Sequence, residues 1–190
     1  MTDAAARLPE LRVAELLDAL AGAQVPASGS AAALAAAMAA ELVAMVARAT
    51  TGWRDSAGTA AQARALSARL VPLASADAVA FARVVQLRAY PDADERDLRP
   101  ALAQAAELPL AIADAACATA ELAATAAGWA IGYEKADAIA AAALAEGATR
   151  AAAALVHANL MTVPGDARAA RADELVDLAA AARANARESE

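Results

Sequence analysis

The sequence predicts an all-helical fold, and three observations carry that prediction. Alanine accounts for about 70 of the 190 residues, and it has the strongest intrinsic helix propensity because ordering it costs no side-chain entropy. Strand formers are sparse, and aromatic residues make up only 3% of the chain. Leucine and valine recur at three- and four-residue spacings between short clusters of glycine, proline and polar residues, as in amphipathic helices with punctuated ends. An apolar content of 61% excludes a disordered chain,. With no linker and no repeat of fixed period, residues 1–190 read as one domain,.

About six helices follow in order. The first runs from about Leu8 to Leu20 and stops at Gly22. A turn, Val25-Pro26-Ala27-Ser28-Gly29, leads to Ser30 as an N-cap, and the second helix runs from about Ala31 to Thr51, ending at Gly52,. The third runs from about Thr59 to Ala89, with Pro72 inside it as an expected kink or break,. Tyr90-Pro91-Asp92-Ala93-Asp94-Glu95-Arg96 is a loop. The fourth helix spans about Leu98 to Ala127 and contains Pro109, the fifth spans about Tyr133 to Thr162, and Pro164-Gly165 separates it from the last, about Asp166 to Asn185.

An alanine core buries little area per turn. Small side chains let helix axes approach closely, but a second copy would complete such a core more readily than one chain alone, so a homodimer is expected. The net charge is −7 and Lys135 is the only lysine; a phosphate-backbone footprint needs clustered basic residues, so no nucleic-acid partner is expected. The uncharged run from Ala19 to Ala40 holds Gln24, Pro26, Ser28 and Ser30, and reads as a loop entering a buried helix, not a membrane span,. The start Met1-Thr2-Asp3 shows no signal-peptide pattern, and Cys117 has no second cysteine to pair with; both fit a reducing, cytoplasmic setting,.

Chemistry is sought where polar residues interrupt apolar faces. Leu66, Leu70, Leu73, Phe81 and Val84 form one stripe of the third helix, and Asp77 lies in its middle,. A carboxylate there is costly unless it is paired, hydrogen-bonded or in contact with a ligand; a structural Asp–Arg pair and a site role are both open. Asp137 and Asn159 share a face of the fifth helix with Leu144 and Leu155, and Asp137 also suits a helix N-terminus,. Glu41 and Arg48 flank the stripe Leu34, Met38, Leu42 and Met45 of the second helix and read as ends of inter-helix ion pairs. Glu107, Asp114 and Glu121, every seven residues, read as a solvated face. No metal site is expected: His157 is the only histidine, and no HxxE or CxxC spacing occurs,. His157 itself reads as a surface residue.

Pro26-Ala27-Ser28-Gly29-Ser30-Ala31-Ala32-Ala33-Leu34, followed by Leu42-Val43-Ala44-Met45-Val46, resembles the glycine-rich loop and second helix of the formiminotransferase-cyclodeaminase C-terminal domain family. Asp77-Ala78-Val79-Ala80-Phe81, Ala105-Ala106-Glu107-Leu108-Pro109-Leu110, Ala136-Asp137-Ala138 and Asn159-Leu160 continue the likeness in family order. The resemblance implies an up-and-down helical bundle acting as a homodimer. It also implies hydrolytic chemistry on one-carbon tetrahydrofolates, as a methenyltetrahydrofolate cyclohydrolase or a formiminotetrahydrofolate cyclodeaminase, with the folate as substrate and no bound cofactor. Carried over to this chain, it implies Asp77 and Asp137 as catalytic residues, and Gly29, Ser30 and Asn159 in substrate binding. Ala27 and Ser28 stand where the family has glycines, and Leu155 stands where it has an asparagine. The rival expectation is a non-catalytic dimeric bundle that binds another small molecule or serves a structural role.

Overall fold

The computed structural model describes residues 8–22, 28–89, 95–161 and 163–188. Among these, all regular structure is helical. A 3-10 turn at Leu8–Glu10 precedes α1 (Val13–Ala21), α2 (Ser28–Ala49), α3 (Ser56–Arg88), α4 (Glu95–Ala105), α5 (Glu107–Trp129), α6 (Gly132–Leu160) and α7 (Ala167–Glu188). The Val25–Ala27 part of the expected turn and the Tyr90–Asp94 part of the expected loop lie outside the described residues.

Sequential neighbours pack on one another: α2 on α3, α5 on α6 and α6 on α7. Their connections are short, as in an up-and-down bundle. α6 is the hub, flanked by α2, α5 and α7. By length and hydropathy alone, four segments could cross a bilayer, Ser28–Ala49 among them; 61% of that helix's most apolar window is buried against the other helices.

Alanine decides which faces meet. α2 buries Ala32, Ala33, Ala36, Ala37, Ala39, Ala40, Val43 and Ala44, against Ala113, Ala116, Ala120 and Ala123 of α5 and Ala138, Ala141, Ala142 and Ala145 of α6 in one continuous core. Methyl-sized side chains let these axes come close. The larger apolar residues of α2 are turned away: Met38 is 61% and Met45 39% exposed, while Leu34 and Leu42 are partly buried. The expected core stripe of this helix is therefore split, its leucines packed at the edge of the core and its methionines outward. Glu41 and Arg48 are exposed and make no ion pair among the described residues.

The two mid-helix prolines behave differently. α3 continues through Pro72 from Ser56 to Arg88, so the expected break is absent. The expected fourth helix divides at Ala106 instead, leaving Pro109 in the first turn of α5, where its missing N–H costs least,. Beside the division, the Arg168 guanidinium donates to the Ala103 carbonyl at 2.6 Å and pairs with Glu107 at 2.6 Å. Arg168 also holds Asp166 at 2.6 Å, tying the start of α7 to the α4–α5 junction.

Candidate active site

The predicted stripe on α3 is real: Leu70 and Val84 are fully buried, and Asp77 is 7% exposed between them. Among the described residues no arginine closes on Asp77. Its carboxylate has neither an ion pair nor a hydrogen bond among them, so the structural-pair alternative does not hold. Burial pushes its pKa from 3.8 up to about 6, because a low-dielectric setting disfavours the charged form. Asp166 is the contrast: Arg168 hydrogen-bonds it and holds it down at about 2.

The Asp77 carboxylate rests on Gly29, in the first turn of α2. A Cβ at position 29 would fall on that carboxylate. Gly29 is therefore required by close approach and not by its backbone angles. Its neighbour Ser30 is fully buried and donates to the Ala74 carbonyl at 2.5 Å. α2 begins at Ser28, so Ser30 is not the expected N-cap. Its hydroxyl donor is used to lock α2 onto α3 one turn before Asp77.

A cavity of about 350 Å³ opens beside Asp77. Phe81 and Arg88 of α3, Leu102 of α4, Ser28 of α2, and Leu155, Ala158, Asn159 and Met161 at the end of α6 line it. Asn159, 5% exposed, donates its side-chain N–H to the Ala105 carbonyl at 3.1 Å. Pro109 explains that bond. It lacks the N–H that would serve the carbonyl four residues earlier, and that carbonyl belongs to Ala105. With the amide nitrogen so engaged, the amide oxygen of Asn159 has no partner among the described residues.

Asp137 is not in this constellation. It is the sixth residue of α6, half-buried and beyond the first turn. It stands eighteen residues from Leu155, roughly 27 Å along the helix at 1.5 Å per residue. Proximity in the sequence motifs does not translate into proximity in space. Neither Arg88 nor Ser28 is marked by the sequence pattern as a cavity residue. Arg88 was findable, since it follows Asp77 by eleven residues, close to three helical turns,.

Other reactive groups lie apart. Cys117 is buried, and its thiol is pushed to about 11 by burial and then by Glu121 and Asp114, so it is protonated at neutral pH. His157 is a surface residue 2.7 Å from Asp173. No group of three metal-binding side chains occurs among the described residues.

A family model for formiminotransferase-cyclodeaminase matches residues 12–177. The chain belongs to the formiminotransferase-cyclodeaminase family. The match contains every residue of the cavity just described. Among solved structures, the formiminotetrahydrofolate cyclodeaminase of Thermotoga maritima superposes with a TM-score of 0.81, covering 94% of this chain and 95% of that one. At 21% identity this likeness concerns the fold. No curated protein matches the sequence. Gly29 seats Asp77, and Ser28 and Leu155 both line the cavity.

Proposed function

We propose that this chain is a hydrolytic enzyme of one-carbon folate metabolism, a methenyltetrahydrofolate cyclohydrolase or a formiminotetrahydrofolate cyclodeaminase. One observation carries the reading: Asp77 lines a hollow with no cation or hydrogen-bond donor to hold it among the described residues. A buried acid without a protein partner is expensive, and a bound substrate supplies the missing one.

Both reactions pass through attack at an amidine-like carbon. In the cyclohydrolase, ionised Asp77 takes a proton from water as its oxygen bonds to the methenyl carbon. The same carboxyl group then returns that proton to the departing ring nitrogen as the C–N bond breaks, and the hydroxyl proton passes to solvent as the formyl carbonyl forms. In the cyclodeaminase, the substrate's own nitrogen attacks the formimino carbon, and protonated Asp77 delivers the proton that lets ammonia leave. A carboxyl with a pKa of about 6 serves either direction near neutral pH. Phe81, Leu102 and Leu155 exclude bulk water from the reacting carbon,. Asn159, fixed through Ala105, presents an amide oxygen to a substrate N–H.

The active form is a cytoplasmic homodimer, with no membrane or nucleic-acid partner and no bound cofactor. The outward Met38 and Met45 of α2, together with exposed Leu144 on adjoining α6, form the kind of apolar face that a second copy would cover. Loss of 5,10-methenyltetrahydrofolate absorbance above the spontaneous rate tests the cyclohydrolase, and ammonia release from 5-formiminotetrahydrofolate tests the cyclodeaminase. Absence of both, with no folate binding by calorimetry, would leave only the fold.

A further inference from the structure

The cavity is polar at both ends and apolar between them. Asp77 lies deep at one end, and Phe81, Leu102 and Leu155 form the walls. Arg88, exposed at the last turn of α3, contributes to the lining at the other end. The two charged residues sit on one face of a continuous helix, eleven residues apart, about 16 Å along its axis. Arg69, Arg150, Arg168 and Arg171 each engage a carboxylate of this chain. Arg88, like exposed Arg48, Arg64 and Arg83, engages none among the described residues, and of these it is the one that lines the cavity.

An arginine fork that borders an apolar hollow without an acid of its own is suited to a carboxylate or phosphate brought by a ligand. We propose that Arg88 determines specificity by binding the anionic end of an elongated substrate whose reacting end lies at Asp77. The ligand class that fits has a flat, proton-exchanging head, an apolar middle and a carboxylate tail. This rests on the folate reading above, in which the tail is the glutamyl group. It goes beyond that reading by assigning the selection of the tail to one residue remote from the chemistry.

The test uses the full chain and two unreactive ligands, 5-formyltetrahydrofolate and 5-formyltetrahydropteroate, which lacks the glutamyl group. Both are titrated calorimetrically into the wild type, Arg88→Met and Arg88→Lys, with circular dichroism confirming that each variant is folded. The wild type is expected to bind the glutamyl ligand about tenfold more tightly, the size of one charge-assisted contact. Arg88→Met should bind the two ligands alike, Arg88→Lys should restore part of the preference, and raised salt should shrink it. A wild-type protein that binds both ligands equally overturns the assignment of Arg88 while leaving the folate reading intact. Retention of the full preference by Arg88→Met overturns the assignment in the same way. A wild type that binds neither ligand overturns the folate reading itself, and this assignment with it.

Discussion

The two ends of the bundle close in opposite ways. At one end, where α2 finishes and α6 begins, buried Trp53 stacks on Trp129 with ring centroids 6.1 Å apart and planes within 7°. Gly52 and Gly132, at φ 79° and 59°, turn the chain tightly beside the rings, in a backbone region that suits glycine. Polar groups there are satisfied locally, as in the Thr50 hydroxyl donating to the Val46 carbonyl at 2.8 Å. At the other end, α2 begins under Asp77, and a carboxylate with no protein partner among the described residues faces an open hollow. The same helices thus end once in a stacked tryptophan pair, with Trp53 buried beneath a half-exposed Trp129, and once in a cavity with a carboxylate in its lining. One end satisfies its polar groups within the chain, and the other leaves the Asp77 carboxylate without a partner among the described residues.

The largest expected effect comes from removing that carboxylate. Asp77→Asn should lower turnover of methenyltetrahydrofolate by about 10²–10⁴-fold, read as the rate of absorbance loss. The same variant should melt at a higher temperature than the wild type at pH 7. The sign follows from the raised pKa. Asp77 titrates at about 6 in the fold against 3.8 unfolded, so its folded form favours the proton. Its contribution to stability is full below pH 3.8 and is lost as pH rises through about 6,. At pH 7 the ionised group costs up to about 3 kcal/mol. Calorimetric melts from pH 4 to 7 should show the wild type falling behind the variant across that window; parallel curves would contradict the burial account. If Asp77 works as the base in the cyclohydrolase, wild-type turnover should decline below pH about 6.

Next in size is Gly29→Ala. A Gly→Ala change inside a helix ordinarily stabilises by about 0.5–1 kcal/mol. Here the new methyl would collide with the Asp77 carboxylate, so stability should fall by about 1–3 kcal/mol and activity by about 10²-fold. Gly147, in mid-α6 with nothing near its missing Cβ, supplies the control: Gly147→Ala should gain the usual increment and leave turnover unchanged. Urea denaturation of both variants side by side checks the opposite signs.

Asn159→Leu should cost about 1–3 kcal/mol, because the Ala105 carbonyl that Pro109 leaves without its helical donor would lose its partner,. It should also slow turnover. At the tryptophan end, Trp129→Ala should cost about 1–2 kcal/mol by uncovering Trp53,, with kcat and KM as in the wild type. A loss of activity in that variant would mean that the two ends are not independent.

Some of this was legible before any coordinates. Asp77 stood out because one charge interrupted an otherwise apolar 3-4 stripe, and burial confirmed the stripe. Asn159 and Pro109 were each visible, but not the bond between Asn159 and the carbonyl that Pro109 frees, because that contact joins residues fifty-four apart in sequence. Asp137 carries a weaker signal, one that also suits a helix N-terminus, and it lies at the end of α6 away from the cavity. Arg88 was legible only through its spacing of eleven residues from Asp77, because a charge in the last turn of a helix ordinarily faces water.

The helices are written in the chain itself, because alanine-rich segments with glycine and proline punctuation have no competing local structure. So is the one carboxylate that does not belong on its face. Which side of α2 is inside was settled by packing alone. In a bundle held by close axis approach, the small residues of α2 go inward, its leucines reach only the edge of the core, and its methionines are left outside, the reverse of what side-chain size suggests. Packing also keeps the ends of α3, α4 and α6 apart around Asp77. Phe81, Leu102 and Leu155 border that gap from three different helices, and no periodicity within one helix could reveal their meeting.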